Sequence, residues 1–143
     1  MRKCYDAYDR SLALRYDNAM VLNNYAYFLS LEGRDLERAL AMAGRAIVLE
    51  ENNPTYLDTY AWVLYRLGRY DEAKKTMQQA LSLDRSQNPD LQLHYGDILA
   101  ALGEKFMAEV YWKKALEGGY DDPDAIVERF RRLKEAAQTP AAP

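Results

Sequence analysis

What this chain is short of narrows its chemistry first. It holds one cysteine, Cys4, and one histidine, His94. An internal disulfide is therefore excluded, a zinc site has too few ligands, and redox compartment cannot be read from a lone thiol. Neither sign of charge dominates: 19 Lys and Arg stand against 22 Asp and Glu, a net charge of −3. That balance disfavours a nucleic-acid phosphate backbone as the main partner. No stretch approaches the roughly 20 apolar residues of a membrane span. The N-terminus MRKCYDAYDR lacks the apolar core of a secretory signal, and no glycine-rich phosphate loop or zinc motif is present.

What is abundant is apolar and aromatic surface. Hydrophobic residues make up 49% of the 143, against 29% charged. This composition suits one globular domain with a sizeable core, not a disordered or membrane chain. Twelve tyrosines stand against three phenylalanines, and each buried tyrosine ring must still bring its hydroxyl to water or a partner.

The chain also repeats itself. Gly33, Gly68 and Gly103 lie 35 residues apart, as do Tyr25, Tyr60 and Tyr95, then Ala26, Ala61 and Gly96, then Leu29, Leu64 and Leu99. Tyr, a small residue and Leu at that spacing form one stripe of a helix. A second helix of each unit carries Ala39, Ala73 and Ala108, then Ala46, Ala80 and Ala115. Small residues at crossing points let helix axes approach to roughly 8–10 Å. Asn53-Pro54, Asn88-Pro89 and Asp122-Pro123 each set a capping side chain before a Pro at the first helical position. Helices are expected over 2–15, 19–32, 35–50, 54–67, 70–83, 89–102, 105–117 and 123–137. The insertion in EGRDLERA lengthens the first full unit by one residue, Gln92 replaces the leucine of Leu22 and Leu57, and Lys105 stands where Tyr70 stood.

The unit Asn53–Asp84, NPTYLDTYAWVLYRLGRYDEAKKTMQQALSLD, strongly resembles a tetratricopeptide repeat. The resemblance implies an all-α fold, a right-handed α-solenoid of antiparallel helix pairs in one domain over 1–137. Its parts are expected as the second helix of a partial repeat (1–16), repeats at 19–52, 54–86 and 89–120, a capping helix (123–137) and a disordered tail (138–143). Within the partial repeat, Cys4, Ser11 and Leu12 take the slots of Ala39, Ala46 and Ile47, so Cys4 reads as a core residue, not a nucleophile. The chain then reads as a trimmed piece or the C-terminal part of a larger bacterial multi-repeat protein. In the cap, Ile126, Val127, Phe130 and Leu133 are expected to cover the third repeat, with Arg129, Arg131, Arg132 and Lys134 on a solvated outer face.

The resemblance also implies a concave surface, lined by the first helices, that holds a peptide or helix of a partner. The candidate groove residues are Asn23 and Tyr27, then Asp58, Trp62, Tyr65 and Arg66, then Leu93 and Asp97, with Ser30 and Ala100 in the same row. An aromatic centre flanked by a few charges is what a peptide anchor point needs. The bland alternative for Tyr27, Trp62 and Tyr65 is wedging between helices; for Asp58 and Asp97 it is a solvated polar face. One subclass of the family grips acidic chaperone C-termini with a Lys/Asn/Arg clamp. The clamp slots here hold Asn23, Tyr27, Asp58, Trp62, Leu93 and Asp97, so an aromatic, neutral or basic peptide is expected instead. His94 has Asp90 and Asp97 within a turn but no positioned serine or further metal ligand. No catalytic residue, metal or cofactor is expected, and no nucleic acid or membrane partner. Self-association through the incomplete first repeat, where Cys4, Tyr8 and Ser11 lie, is the alternative role. The compartment is cytoplasmic by default, or periplasmic if the full-length protein carries a signal peptide.

Overall fold

The computed structural model describes residues 18–138, and the fold is all-α. Seven helices are present among the described residues: α1 Ala19–Glu32, α2 Leu36–Leu49, α3 Pro54–Arg66, α4 Tyr70–Leu83, α5 Pro89–Ala101, α6 Lys105–Glu117 and α7 Pro123–Gln138. They pair as α1–α2, α3–α4 and α5–α6, the helix pairs of a solenoid fold, with α7 following. The helix expected over 2–15, with Cys4, Tyr8 and Ser11, and the tail after Gln138 lie outside the described residues. No described helix is long and apolar enough to cross a membrane.

Punctuation is local and follows the sequence. Asn53 accepts hydrogen bonds from the Thr55 and Tyr56 amides at 3.0 and 3.2 Å, and Asn88 accepts one from Asp90 at 2.9 Å. Each caps a helix whose first residue is Pro, which has no amide to leave unpaired. At the other ends Gly33, Gly68 and Gly103 turn left-handed, with φ of 66°, 82° and 83°. The inserted residue of the first repeat has a structural meaning. In the later repeats a single residue closes the first helix and opens the second: Arg69 and Glu104 donate their amides to Leu64 and Leu99, and their carbonyls accept from Ala73 and Ala108. In the first repeat Arg34 does the closing and Asp35, at φ 49°, does the opening.

The chain divides into two compact units, residues 1–85 and 86–143. In the first, α2 packs on α3, and α1 on α3 as well as on α2. Ala26, Ala39, Ala43, Ala46, Ala61, Ala73 and Ala80 are all 0% exposed, so helix backbones meet at these points. Tyr25, Leu29, Val63, Leu64 and Met77 fill the space between them. The Arg38 guanidinium covers the Tyr25 ring at 5.1 Å.

The second unit packs differently at the matching slot. Ala26 and Ala61 become Gly96 there, because Trp112 of α6 occupies the space: a Cβ on residue 96 would lie 2.4 Å from Trp112 Cδ1. Trp112 in turn meets the Phe130 ring of α7 edge-on, with centroids 5.7 Å apart. Ile126 is fully buried, but Val127 is 58% exposed and does not join the cover expected of it. On an α-helix Val127 points about 100° away from Ile126, which turns it to solvent. Gln92, in a leucine slot, is buried with no partner for Oε1 among the described residues. On the outer face of α7, Glu128 is bonded by Arg131 and Arg132, and Arg131 also reaches Glu135. The Arg131 bonds hold the Glu128 carboxyl down to about 2, so it stays ionised until strongly acid pH.

The substitution Gly96→Ala tests the packing at Trp112. Overpacking this contact is expected to cost about 1–3 kcal/mol, read as a lower midpoint in thermal unfolding followed by circular dichroism with native helix content at low temperature.

Candidate functional site

Helix α3 brings Asp58, Trp62 and Tyr65 to one face, at i, i+4 and i+7. Trp62 and Tyr65 are half-buried and stacked, with ring centroids 4.7 Å apart and planes 25° from parallel. Tyr70, the first residue of α4, extends the aromatic run, its centroid 5.5 Å from that of Tyr65. Helical periodicity alone does not place Tyr70 in this cluster. The signal was available in the short link, because three residues between α3 and α4 bring the two helix ends together.

Arg66 lies one turn beyond Trp62, exposed, and its guanidinium reaches the neighbouring helix. Its Nε donates to the Ser30 carbonyl at 3.0 Å, at the C-terminal end of α1 where carbonyls lack helical partners. Gly33 leaves room for this contact, since a Cβ there would stand 2.8 Å from Arg66 Nη2. Ser30 is itself fully buried, its hydroxyl donating to the Tyr27 carbonyl at 2.6 Å. Tyr27 is half-buried on α1, while Asn23 and Asp58 are 6% and 7% exposed. The Asn23 amide is the outlier of the row, because its Oδ1 is buried with no hydrogen-bond partner among the described residues. Such an acceptor costs about 1–3 kcal/mol until a donor reaches it. In the first unit the structure thus places Asn23 and Tyr27 on α1 beside Asp58, Trp62, Tyr65 and Arg66 on α3, two helices in contact.

Leu93 and Asp97 belong to α5 of the second unit. Leu93 is 2% exposed and contributes to the apolar core. Asp97 is the hub of a buried polar cluster. Its Oδ1 accepts from Trp112 Nε1 at 3.0 Å and from Arg129 Nε at 2.7 Å, and its Oδ2 from Arg129 Nη2 at 3.0 Å. Three helices are therefore tied through one carboxylate. Arg129 was grouped by sequence with the outer basic face of the last helix; instead it turns inward, because the two-pronged bond to a buried carboxylate outweighs solvation. Periodicity places Arg129 on α7 but cannot report which neighbour supplies the charge. His94 is half-buried. Among the described residues no group of three His, Cys, Asp or Glu side chains is arranged to hold a metal.

Comparison with known proteins agrees with this architecture. Residues 54–86 match the tetratricopeptide repeat family. No curated protein sequence gives a significant match. Among solved structures, the chain is similar to the type III secretion translocator chaperone SycD of Yersinia enterocolitica, with 19% identity over 86% of this chain and 96% of that one (TM-score 0.70). It is similar to the first tetratricopeptide domain of Spaghetti (RPAP3), solved with the HSP90 peptide SRMEEVD, at 19% identity over 85% and 94% (TM-score 0.71). YrrB, described as a tetratricopeptide protein with an unusual peptide-binding site, shares 27% identity over 91% and 69% (TM-score 0.67).

The substitution Asp97→Asn keeps the shape of the side chain and removes its charge from between Arg129 and Trp112. It is expected to destabilise the chain by about 2 kcal/mol in urea unfolding, and Arg129→Lys by less, because one prong of the bond remains.

Proposed function

We propose that this chain, with its tetratricopeptide repeat at 54–86, is a noncatalytic scaffold that binds a peptide or helix of a partner protein along its first helices. The observation that carries this reading is the stacked, half-buried pair Trp62 and Tyr65. A flat aromatic platform with partial exposure gives a ligand side chain contact area at little entropic cost. Asn23, Tyr27, Asp58, Trp62, Tyr65 and Arg66 make up the site on the first unit; the other two candidates, Leu93 and Asp97, are taken up in the second unit by the apolar core and by the bond to Arg129. Arg66 Nε bonds the Ser30 carbonyl, so this side chain also helps hold α1 against α3.

The same residues argue against an acidic ligand such as SRMEEVD. Asp58 contributes a carboxylate where that class of ligand needs a cation, and Arg66 already bonds the end of α1. The preferred ligand is aromatic and neutral or basic.

A second reading, self-association through the N-terminal part of the chain, draws on α1. Met20 and Leu31 on that helix are 59% and 54% exposed, an apolar surface that another copy can cover.

The double change Trp62→Ala and Tyr65→Ala is expected to abolish recovery of the partner in a crosslinking pull-down while leaving the far-ultraviolet spectrum unchanged; unaltered recovery removes the groove from the reading. Light scattering across a concentration series addresses the second reading, which predicts a rise in mass that Met20→Lys with Leu31→Lys suppresses.

A further inference from the structure

The aromatic row of the first unit is longer than the fold requires. Trp62, Tyr65 and Tyr70 follow one another along the C-terminal half of α3 and onto the first residue of α4. The slots that align with them hold Tyr27, Ser30 and Leu36 in the first repeat and Asp97, Ala100 and Lys105 in the third. Those repeats form the same helix pairs without a row of three rings, so the row is available for another use.

What the row offers a ligand is set by how the rings lie. Tyr65 is the middle member, with Trp62 stacked on it at 4.7 Å and Tyr70 tilted by 47° at 5.5 Å. Rings that cover one another's faces present their edges, where the quadrupole is positive. The Tyr70 hydroxyl adds a donor, since it makes no hydrogen bond among the described residues. A surface of this kind is answered by bare acceptors. An α-helix does not supply them along its length, because its carbonyls bond its own amides. An extended strand brings as many donors as acceptors and needs a sheet edge, of which there is none among the described residues. A proline-rich segment in the polyproline II form brings carbonyls with no internal bonds and, at each proline, no N–H. One turn of that form rises about 9 Å, close to the two ring steps of 4.7 and 5.5 Å laid end to end.

We infer that the ligand of this platform is a proline-rich segment in the polyproline II form, with prolines three residues apart set against the rings. The inference rests on the reading of Trp62 and Tyr65 as a peptide platform and selects, between a peptide and a helix, the peptide. Two prolines one turn apart pack against the two ends of the row, and the carbonyls between them face the ring edges and the Tyr70 hydroxyl. The aromatic residue preferred in the ligand lies beside the prolines, not among them. Because the segment holds this conformation before it binds, little ordering is left to oppose association.

Calorimetric titration of the full chain with the end-capped peptide FPPAPPAPPA tests this against two controls. FGGAGGAGGA lacks the preformed conformation and regains the N–H groups, and FAEAAAKAAA forms a helix. The expected result is that the proline peptide binds about tenfold or more tighter than either control. Its affinity falls about tenfold on Tyr70→Ala and about threefold on Tyr70→Phe. The second variant keeps the ring and removes only the hydroxyl, so its effect does not depend on altered folding at the start of α4. Absence of binding by the proline peptide overturns the inference, as does equal binding of either control, or an affinity that either Tyr70 variant leaves unchanged. Should the proline peptide not bind while Trp62→Ala with Tyr65→Ala still abolishes partner recovery, the scaffold reading stands and this inference alone falls.

Discussion

Close approach of helix backbones is the constraint from which the rest of this structure follows. At each crossing the chain places an alanine or glycine with no exposed surface, and every larger side chain is arranged around those points. Dispersion contacts are dense only where backbones come near, so the small residues set the geometry and the leucines and tyrosines fill what remains. A methyl group is enough of a change at such a point to force neighbouring helices apart. The pattern also explains why so much aromatic surface is left for other uses. With alanine at the crossings, rings such as Trp62, Tyr65 and Tyr70 sit at the edges of the packed layer, half in water.

The second unit shows how the same plan is finished. Gly96 goes one step smaller than alanine, Trp112 fills the vacated space, and the indole N–H needs an acceptor that Asp97 provides. A buried carboxylate then needs a cation, and Arg129 of the last helix supplies it. Each departure from the repeat pattern demands the next. The last helix is attached by that sequence of requirements as much as by its apolar residues, of which Ile126 is fully buried and Phe130 rests on Trp112.

Much of this was legible in the residues alone. The 35-residue recurrence of Gly33, Gly68 and Gly103 marked the helix ends, and all three adopt the left-handed turn that only glycine takes readily. Asn53, Asn88 and the prolines after them marked the starts. Side-chain partnerships were less legible. Asp97 and Trp62 occupy equivalent slots, yet one is bound within a buried cluster and the other lies stacked and half-buried, because the outcome depends on Trp112 and Arg129, which lie 15 and 32 residues further on. Arg66 likewise read as a groove cation, and only the placement of α1 beside α3 reveals that it bonds the Ser30 carbonyl. Periodicity specifies which face a residue occupies; it does not specify what stands opposite.

The chain's two tryptophans fall one in each compact unit, and their surroundings differ. Trp62 lies half in solvent against a tyrosine ring, while Trp112 is 4% exposed and hydrogen-bonded to a carboxylate. Their emission therefore differs in colour and in quenching, and the molecule carries its own pair of optical reporters. Fluorescence resolved by wavelength can follow the loss of structure in each half separately, without any added label.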